Sequence, residues 1–304
     1  MEGAIIGVDA GGTKTALRLS RADGPATPDA LGPGVNLQRD GLDRSAAVLA
    51  GLLRPALRAL HPDGPRAVCA GVSGAGRDAD QTALRDAVLA RLGLPGLPLL
   101  VTHDAELALE AVFGAESGVV CIAGTGSVVY GRTQGGEIVR TGGWGARLGD
   151  EGSGTAIGQA AARAVARALD GGPATALSNL FDEHVGLRSA DDLIRWTYRE
   201  QGAFASLAPL VLQAAASDPV ADAILRLQAD LLLQDVRRLA SRAADGLAPR
   251  LTFMGGLAGE PVYRAYLNAA LRRHLPRWQA VEATAEPVEG AVRRARRWAK
   301  ETTG

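Results

Sequence analysis

Two segments of the chain carry residues whose types and spacing suit phosphate chemistry. The first reads Gly7-x-Asp9-x-Gly11-Gly12-Thr13-Lys14-Thr15, and the second reads Ala123-Gly124-Thr125-Gly126-Ser127. Each follows an apolar run and precedes a second β-type run, the signature of a hairpin with a polar, glycine-rich tip. Glycines let backbone N–H groups approach phosphate oxygens. Gly11, Gly12, Gly124 and Gly126 fit that role, and Thr13, Thr15 and Thr125 add hydroxyl donors. Lys14 is one of only two lysines among 33 basic residues, and a compact cation beside phosphate accounts for it. Asp9 would repel phosphate directly, so its natural role is to hold Mg²⁺ through water. The first loop is not a Walker A loop, because Thr13 separates the second glycine from the lysine. A dinucleotide fingerprint needs a helix after its glycines, and here a strand follows. A plain glycine turn is the alternative, and the recurrence of the motif weighs against it.

Three further segments offer substrate chemistry. His103-Asp104 ends an apolar strand and precedes a helical pattern. Asp104 suits a helix cap equally well as a base that takes a hydroxyl proton during phosphoryl transfer; His103 receives no role. The segment Thr141–Ser153 holds five glycines, Trp144, Asp150 and Glu151. An aromatic plate with a carboxylate beside it is how sugars are held, and a loop around a buried tryptophan is the alternative. Asn36, after Gly32-Pro33-Gly34, is either a further sugar contact or a turn residue. Gly255-Gly256, after an apolar run, either opens a helix or admits the face of adenine.

The elements that must position these residues follow from periodicity. Strands are predicted at 3–10 and 15–20, a loop at 21–41, a helix at 42–60, a strand at 67–71, a helix at 79–92, a strand at 97–102 and a helix at 105–113. The order ββαβαβα, with room for a third opening strand, suits an α/β layer of mixed sheet and helices. A second hairpin begins near 117, residues 155–246 read almost wholly helical, and 251–254, 260–273, 278–283 and 288–300 read strand, helix, strand, helix. The division expected is 1–114 and 115–304, with a hinge near 112–117, a helical insertion in the second domain, and the last helix able to pack back on the first. Arg293, Arg294, Arg296, Arg297 and Lys300 read as a solvated helix face.

Composition excludes several classes. The chain has 304 residues, is 47% hydrophobic and carries a formal net charge of +0, so it offers a substantial core and no basic surface for nucleic acid. Cys69 and Cys121 lie in apolar runs and read as buried thiols rather than a disulfide or zinc pair. No apolar stretch reaches membrane-spanning length and no signal-peptide pattern opens the chain. A cytoplasmic protein with no membrane partner is the expectation.

Taken in order, Gly7–Thr15, Gly34–Asn36, His103–Asp104, Ala123–Ser127, Gly142–Gly152, Gly255–Gly256 and Pro287-x-x-Gly290-Ala291 resemble the sugar-kinase side of the superfamily that joins hexokinase, actin and the heat-shock ATPases. More narrowly, they resemble the N-acetylglucosamine kinase branch of the BadF/BadG/BcrA/BcrD ATPase family. The resemblance implies two ribonuclease-H-like domains with ATP and sugar in the cleft between them, and allows a homodimer. It implies Asp104 as the base on the sugar 6-hydroxyl, Thr13 and Thr125 on ATP phosphates, Asp9 near Mg²⁺, and Gly255 and Gly256 beside adenosine. Asn36, Ser127, Gly143, Trp144, Gly145 and Asp150 would line the sugar site. One departure is Val128, where the mammalian-type kinases carry Asn; it leaves N-acetylglucosamine, glucosamine and other amino sugars open. Two other classes remain as alternatives: a non-catalytic sugar-sensing ATP-binding protein, and the iron–sulfur activator branch of the same family, which needs exposed cysteine ligands.

Overall fold

The structure, a computed structural model, describes residues 3–21, 29–60, 62–243, 246–283 and 285–302. The chain forms two compact units, Met1–Glu116 with Ala283–Gly304, and Ser117–Glu282. The first break lies two residues past the expected boundary, and the C-terminal segment belongs to the first unit.

The first unit is built on a five-stranded sheet of order β3-β2-β1-β4-β5. Strands β1 (Ala4–Ala10), β2 (Lys14–Ser20) and β3 (Ala30–Pro33) form an antiparallel meander, and β4 (Pro65–Val72) and β5 (Leu99–His103) add in parallel. Ala67–Val72 of β4 are all buried, the continuous apolar run expected of a strand covered on both faces. Helices α1 (Leu37–Ala59) and α2 (Asp78–Leu92) pack together, and α3 (Asp104–Phe113) follows β5 directly. The unit closes with the helix Pro287–Glu301, which packs on α3 and β1.

The second unit repeats the plan. Its sheet, read from the edge, runs β8-β7-β6-β9-β10. Strands β6 (Gly118–Ala123), β7 (Ser127–Arg132) and β8 (Ile138–Gly142) form the meander; β9 (Arg250–Met254) and β10 (Gln279–Ala280) are parallel additions. Both sheets thus place their first strand third, flanked by a hairpin partner on one side and parallel strands on the other. This is the ribonuclease-H-like order, present twice. Between β8 and β9 lie α4 (Gly154–Leu169), α5 (Leu177–Val185), α6 (Ala190–Ile194), a π-helical turn Arg195–Arg199, a 3₁₀ turn Phe204–Leu207, α7 (Ala208–Ala214) and α8 (Pro219–Arg242). Between β9 and β10 stand α9 (Gly256–Gly259) and α10 (Pro261–His274), so the closing helix Pro287–Glu301 is α11.

Three sequence-based expectations are corrected. The stretch read as loop to residue 41 contains β3 and the start of α1, whose N-terminal residue is Leu37; residues 22–28 of that loop lie outside the described residues. The glycine-dense segment that begins at Thr141 opens inside a strand, since β8 runs from Ile138 to Gly142. The basic residues of α11 are a solvated face only in part: Arg293, Arg296 and Lys300 are exposed, yet the arginines have partners within the unit. Arg294 pairs with Glu106 at 3.2 Å, Arg297 with the buried Glu110 at 2.8 Å, Arg296 donates to Ser20 Oγ at 2.5 Å, and Arg293 donates to the Ala111 carbonyl at 3.1 Å. Charge periodicity marks a polar face but not what that face meets, and here α3 and β2 supply the partners.

Candidate active site

In the first unit the hairpin tip Gly11-Gly12-Thr13 is closed by Gly11 N–H donating to the Lys14 carbonyl at 3.0 Å. Gly12, Thr13 and Lys14 are exposed, as donors awaiting a ligand must be. The tip rests on a second backbone segment. Val35 N–H donates to the Gly11 carbonyl at 2.9 Å, and a Cβ on Gly34 would stand 2.5 Å from the Gly12 oxygen. Gly34 is therefore required by close approach alone. Thr15 differs from its expected role: its hydroxyl is fully buried and donates to the Pro33 carbonyl at 2.7 Å. It ties β2 to β3 and offers nothing to phosphate.

Asn36 stands at the start of α1, where its Oδ1 accepts from the Gln38 and Arg39 N–H groups, each at 3.1 Å. Its Nδ2 donates to Ser73 Oγ at 3.3 Å, and Ser73 N–H donates to the Ala10 carbonyl at 2.9 Å. Asn36 is thus both a cap and a neighbour of the end of β1. Ser73 was not singled out from sequence; its only local signal is its place in the Ser-Gly-Ala-Gly run after β4.

Asp104 opens α3 and its Oδ1 accepts from Ala105 N–H at 2.9 Å. His103 Nδ1 accepts from the same N–H at 3.1 Å and lies 2.9 Å from Asp104 Oδ1. The helix end is therefore capped by His103 as well, and the Asp104 carboxylate keeps acceptor capacity for other work. Asp9 senses the Asp104 charge. Burial first, then the Asp104 charge and more weakly Glu286, push the Asp9 carboxyl up to about 7, with Lys14 acting against them. Two carboxylates whose negative charges interact in this way fit a cation. Among the described residues no group of three or more His, Cys, Asp or Glu side chains is placed to hold a metal. That donor set suits Mg²⁺, which keeps several waters and takes one or two carboxylates plus phosphates.

The raised Asp9 value has a testable consequence. Its ordinary value is 3.8, so between roughly pH 4 and pH 7 the folded unit binds a proton that the unfolded chain has released. Stability of the metal-free protein therefore falls as pH rises through that window, by on the order of 2–4 kcal/mol. Denaturant unfolding of metal-free wild type and Asp9→Asn should show the variant gaining on wild type from pH 4 to pH 8. A difference that stays flat across this range contradicts the assignment.

In the second unit the tip Gly124-Thr125-Gly126 is closed by Gly124 N–H donating to the Gly126 carbonyl at 2.9 Å. The start of α4 clasps it: Gly154 N–H donates to the Gly124 carbonyl at 2.8 Å, and Thr155 Oγ1 donates to the Thr125 carbonyl at 2.7 Å. Ser153 caps α4, its Oγ accepting from Ala156 N–H at 3.1 Å. A helix N-terminus beside the tip adds a partial positive charge there. Gly255 has φ +99°, and a Cβ on it would overlap the carbonyl of Ala123, the last residue of β6. Gly255 and Gly256 thus lie beside the second tip.

The sugar-loop residues divide. Trp144 is 66% exposed, with the Arg140 guanidinium 5.5 Å from its ring, so the buried-tryptophan alternative does not hold. Gly143 and Gly145 are exposed with φ of +70° and +82°; Val128 packs beneath Gly143. Ser127 is buried and its hydroxyl donates to the Glu151 carbonyl at 2.7 Å, so its proton is engaged within the loop. Asp150 is only 9% exposed, and its carboxylate accepts from the N–H groups of Gly145 and Ser127. Burial, opposed by those two bonds, raises its pKa. Its first duty is to organise the loop, and its remaining lone pairs are what a sugar could reach. Cys69 and Cys121 are fully buried, which pushes both thiols up and leaves neither able to ligate an exposed iron–sulfur cluster. No single helix among the described residues is long and apolar enough to cross a membrane.

The BadF/BadG/BcrA/BcrD ATPase family matches residues 6–295. The N-acetyl-D-glucosamine kinase of Dictyostelium discoideum is 30% identical over 308 residues, 95% of this chain and 96% of that one. The N-acetylmuramic acid/N-acetylglucosamine kinase of Clostridium acetobutylicum is 34% identical over 198 residues, and the match spans 64% of each chain. The crystal structure of a candidate N-acetylglucosamine kinase from Chromobacterium violaceum superposes with a TM-score of 0.75 at 30% identity, covering 95% of this chain and 98% of that one.

Proposed function

From the premise that this chain belongs to the BadF/BadG/BcrA/BcrD ATPase family, we propose that it transfers the γ-phosphate of ATP to the 6-hydroxyl of an amino hexose, with N-acetylglucosamine the favoured substrate. The observation that carries this reading is Asp104. It is a carboxylate at the exit of the edge strand β5 whose helix is also capped by His103, beside Asp9 and in the same unit as the exposed first phosphate loop.

Asp104 accepts the hydroxyl proton as the sugar oxygen attacks. In the first unit the Gly12 amide with Thr13 and Lys14, and in the second the Gly126 amide with Thr125, take phosphate oxygens and stabilise the charge of a loose transition state, while Gly11 and Gly124 close the two tips. Asp9 would hold Mg²⁺ through water, and the metal supplies charge neutralisation on the phosphates when bound. Glycines 255 and 256 leave room for the nucleoside. The exposed Trp144 offers an apolar face to the sugar ring, while Asp150 and Asn36 offer polar groups to its hydroxyls. Val128 gives the loop an apolar support under Gly143, so we leave the 2-substituent of the sugar open to glucosamine and other amino sugars. A homodimer belongs to the same proposal and rests on the resemblance.

The test is ADP release from ATP with a panel of hexoses and amino hexoses. Release that depends on an amino hexose, strongest with N-acetylglucosamine, is expected. ATP binding with no sugar-dependent release across the panel would favour a sensor and overturn the kinase reading.

A further inference from the structure

The loop from Gly142 to Gly152 is carried by one stripe of a distant helix. Gln228, Leu232 and Asp235 are spaced i, i+4 and i+7 on α8, and so share a face. The side chain of Gln228 is buried and its Oε1 accepts from Gly152 N–H at 2.8 Å. Leu232 lies under Gly152, where a Cβ would come within 2.6 Å of the leucine Cβ. Asp235 stands against Gly142, with Oδ2 3.3 Å from where that glycine's Cβ would be. From α10, the fully buried Tyr263 donates its hydroxyl to the Gly152 carbonyl at 3.0 Å.

Gly152 is therefore gripped at both its N–H and its C=O by side chains 76 and 111 residues further along the chain. On either side of it, Glu151 C=O receives the Ser127 hydroxyl and Ser153 caps α4. Two residues before it, Asp150 takes φ +66°, a left-handed conformation that a non-glycine residue keeps only when its neighbours impose it. The geometry points to Gln228 and Tyr263 as positioning residues: by fixing the Gly152 peptide they hold Asp150 in its left-handed pose, aimed at the amides of Gly145 and Ser127, and so set the sugar-binding loop. This inference rests on the amino-hexose kinase reading for its substrate. It adds two residues on helices that carry no motif.

Three variants test it. Gln228→Leu removes the acceptor at constant bulk, Gln228→Glu keeps an acceptor at the same place, and Tyr263→Phe removes one hydroxyl while keeping the ring. Gln228→Leu and Tyr263→Phe should each raise the amino-hexose KM about tenfold and leave the ATP KM within about twofold. Gln228→Glu should recover most of the loss, and the double variant should fall short of additivity, because both side chains hold one peptide. A purely structural role would lower the active fraction and leave the sugar KM unmoved. That result, in a wild type that phosphorylates amino hexoses, overturns the inference. If Gln228→Leu does not fold, Tyr263→Phe decides alone. If wild type turns over no amino hexose, the kinase reading fails separately, and hydrogen exchange still decides the clamp. Faster exchange of the Gly145 and Ser127 amides in Tyr263→Phe supports it, and unchanged exchange overturns it.

Discussion

Asp104→Asn is expected to lower kcat about 10³-fold while ATP and sugar bind within about twofold of wild type. The structure makes this substitution a clean probe. Asn keeps an oxygen for the Ala105 N–H that Asp104 now engages at 2.9 Å, and His103 continues to cap α3 at 3.1 Å. What is lost is the capacity to take a proton. A residue that only capped the helix would show the opposite pattern, a loss of stability with little change in turnover per folded molecule. Single-turnover kinetics with isothermal titration of both substrates separates the two. Near-normal kcat in the variant removes Asp104 from the chemistry.

Gly255→Ala is expected to be the most damaging conservative change beside the second hairpin tip. Two penalties act together. The residue adopts φ +99°, which L-residues rarely do, and its new Cβ would overlap the carbonyl of Ala123 at the edge of the second phosphate tip. The backbone conformation costs roughly 1–2 kcal/mol and the overlap roughly 1–3 kcal/mol more. Either the second unit melts lower by about 5–10 °C, or β6 yields and the Gly124–Gly126 tip moves with it. In both cases the ATP KM should rise at least about tenfold. Gly259→Ala, at the far end of α9, is the control, because nothing lies within 4 Å of a Cβ built there. Equal, small effects at both positions would show that the close approach of Gly255 to Ala123 has no bearing on nucleotide binding.

The parts of this molecule that could be read from sequence are those whose physics is local. Each phosphate hairpin has two apolar runs and its turn residues within about fifteen positions, and both form as read. The helix after His103 and the strand before Gly255 follow for the same reason. Edge strands were harder. β3 is Ala-Leu-Gly-Pro, and Pro33 is tolerated only because an edge strand need not donate from every residue. β8 lies in a stretch whose later glycines masked its β character.

Site residues failed where the side chain's partner is a distant carbonyl. Thr15 and Ser127 have the right chemistry for a ligand, yet Pro33 and Glu151 claim their hydroxyls. Asp150 reads as a ligand group and serves first as the hub of its own loop. The arginines of α11 show the same limit, since Glu106 and Glu110 are nearly two hundred residues away in sequence. Gln228 and Tyr263 had no sequence signal at all, because nothing in their neighbourhood distinguishes them from ordinary helix residues.

The central claim is that one phosphate moves from ATP to the 6-hydroxyl of an amino hexose. The most direct measurement is phosphorus–proton correlation NMR on the product formed from ATP and N-acetylglucosamine, with the 6-deoxy sugar as control. ADP should form in equal amount to a sugar phosphate whose phosphorus couples to the C6 protons, with no product from the 6-deoxy sugar. Phosphate on any other carbon, or ADP formed at the same rate with the 6-deoxy sugar, would contradict it.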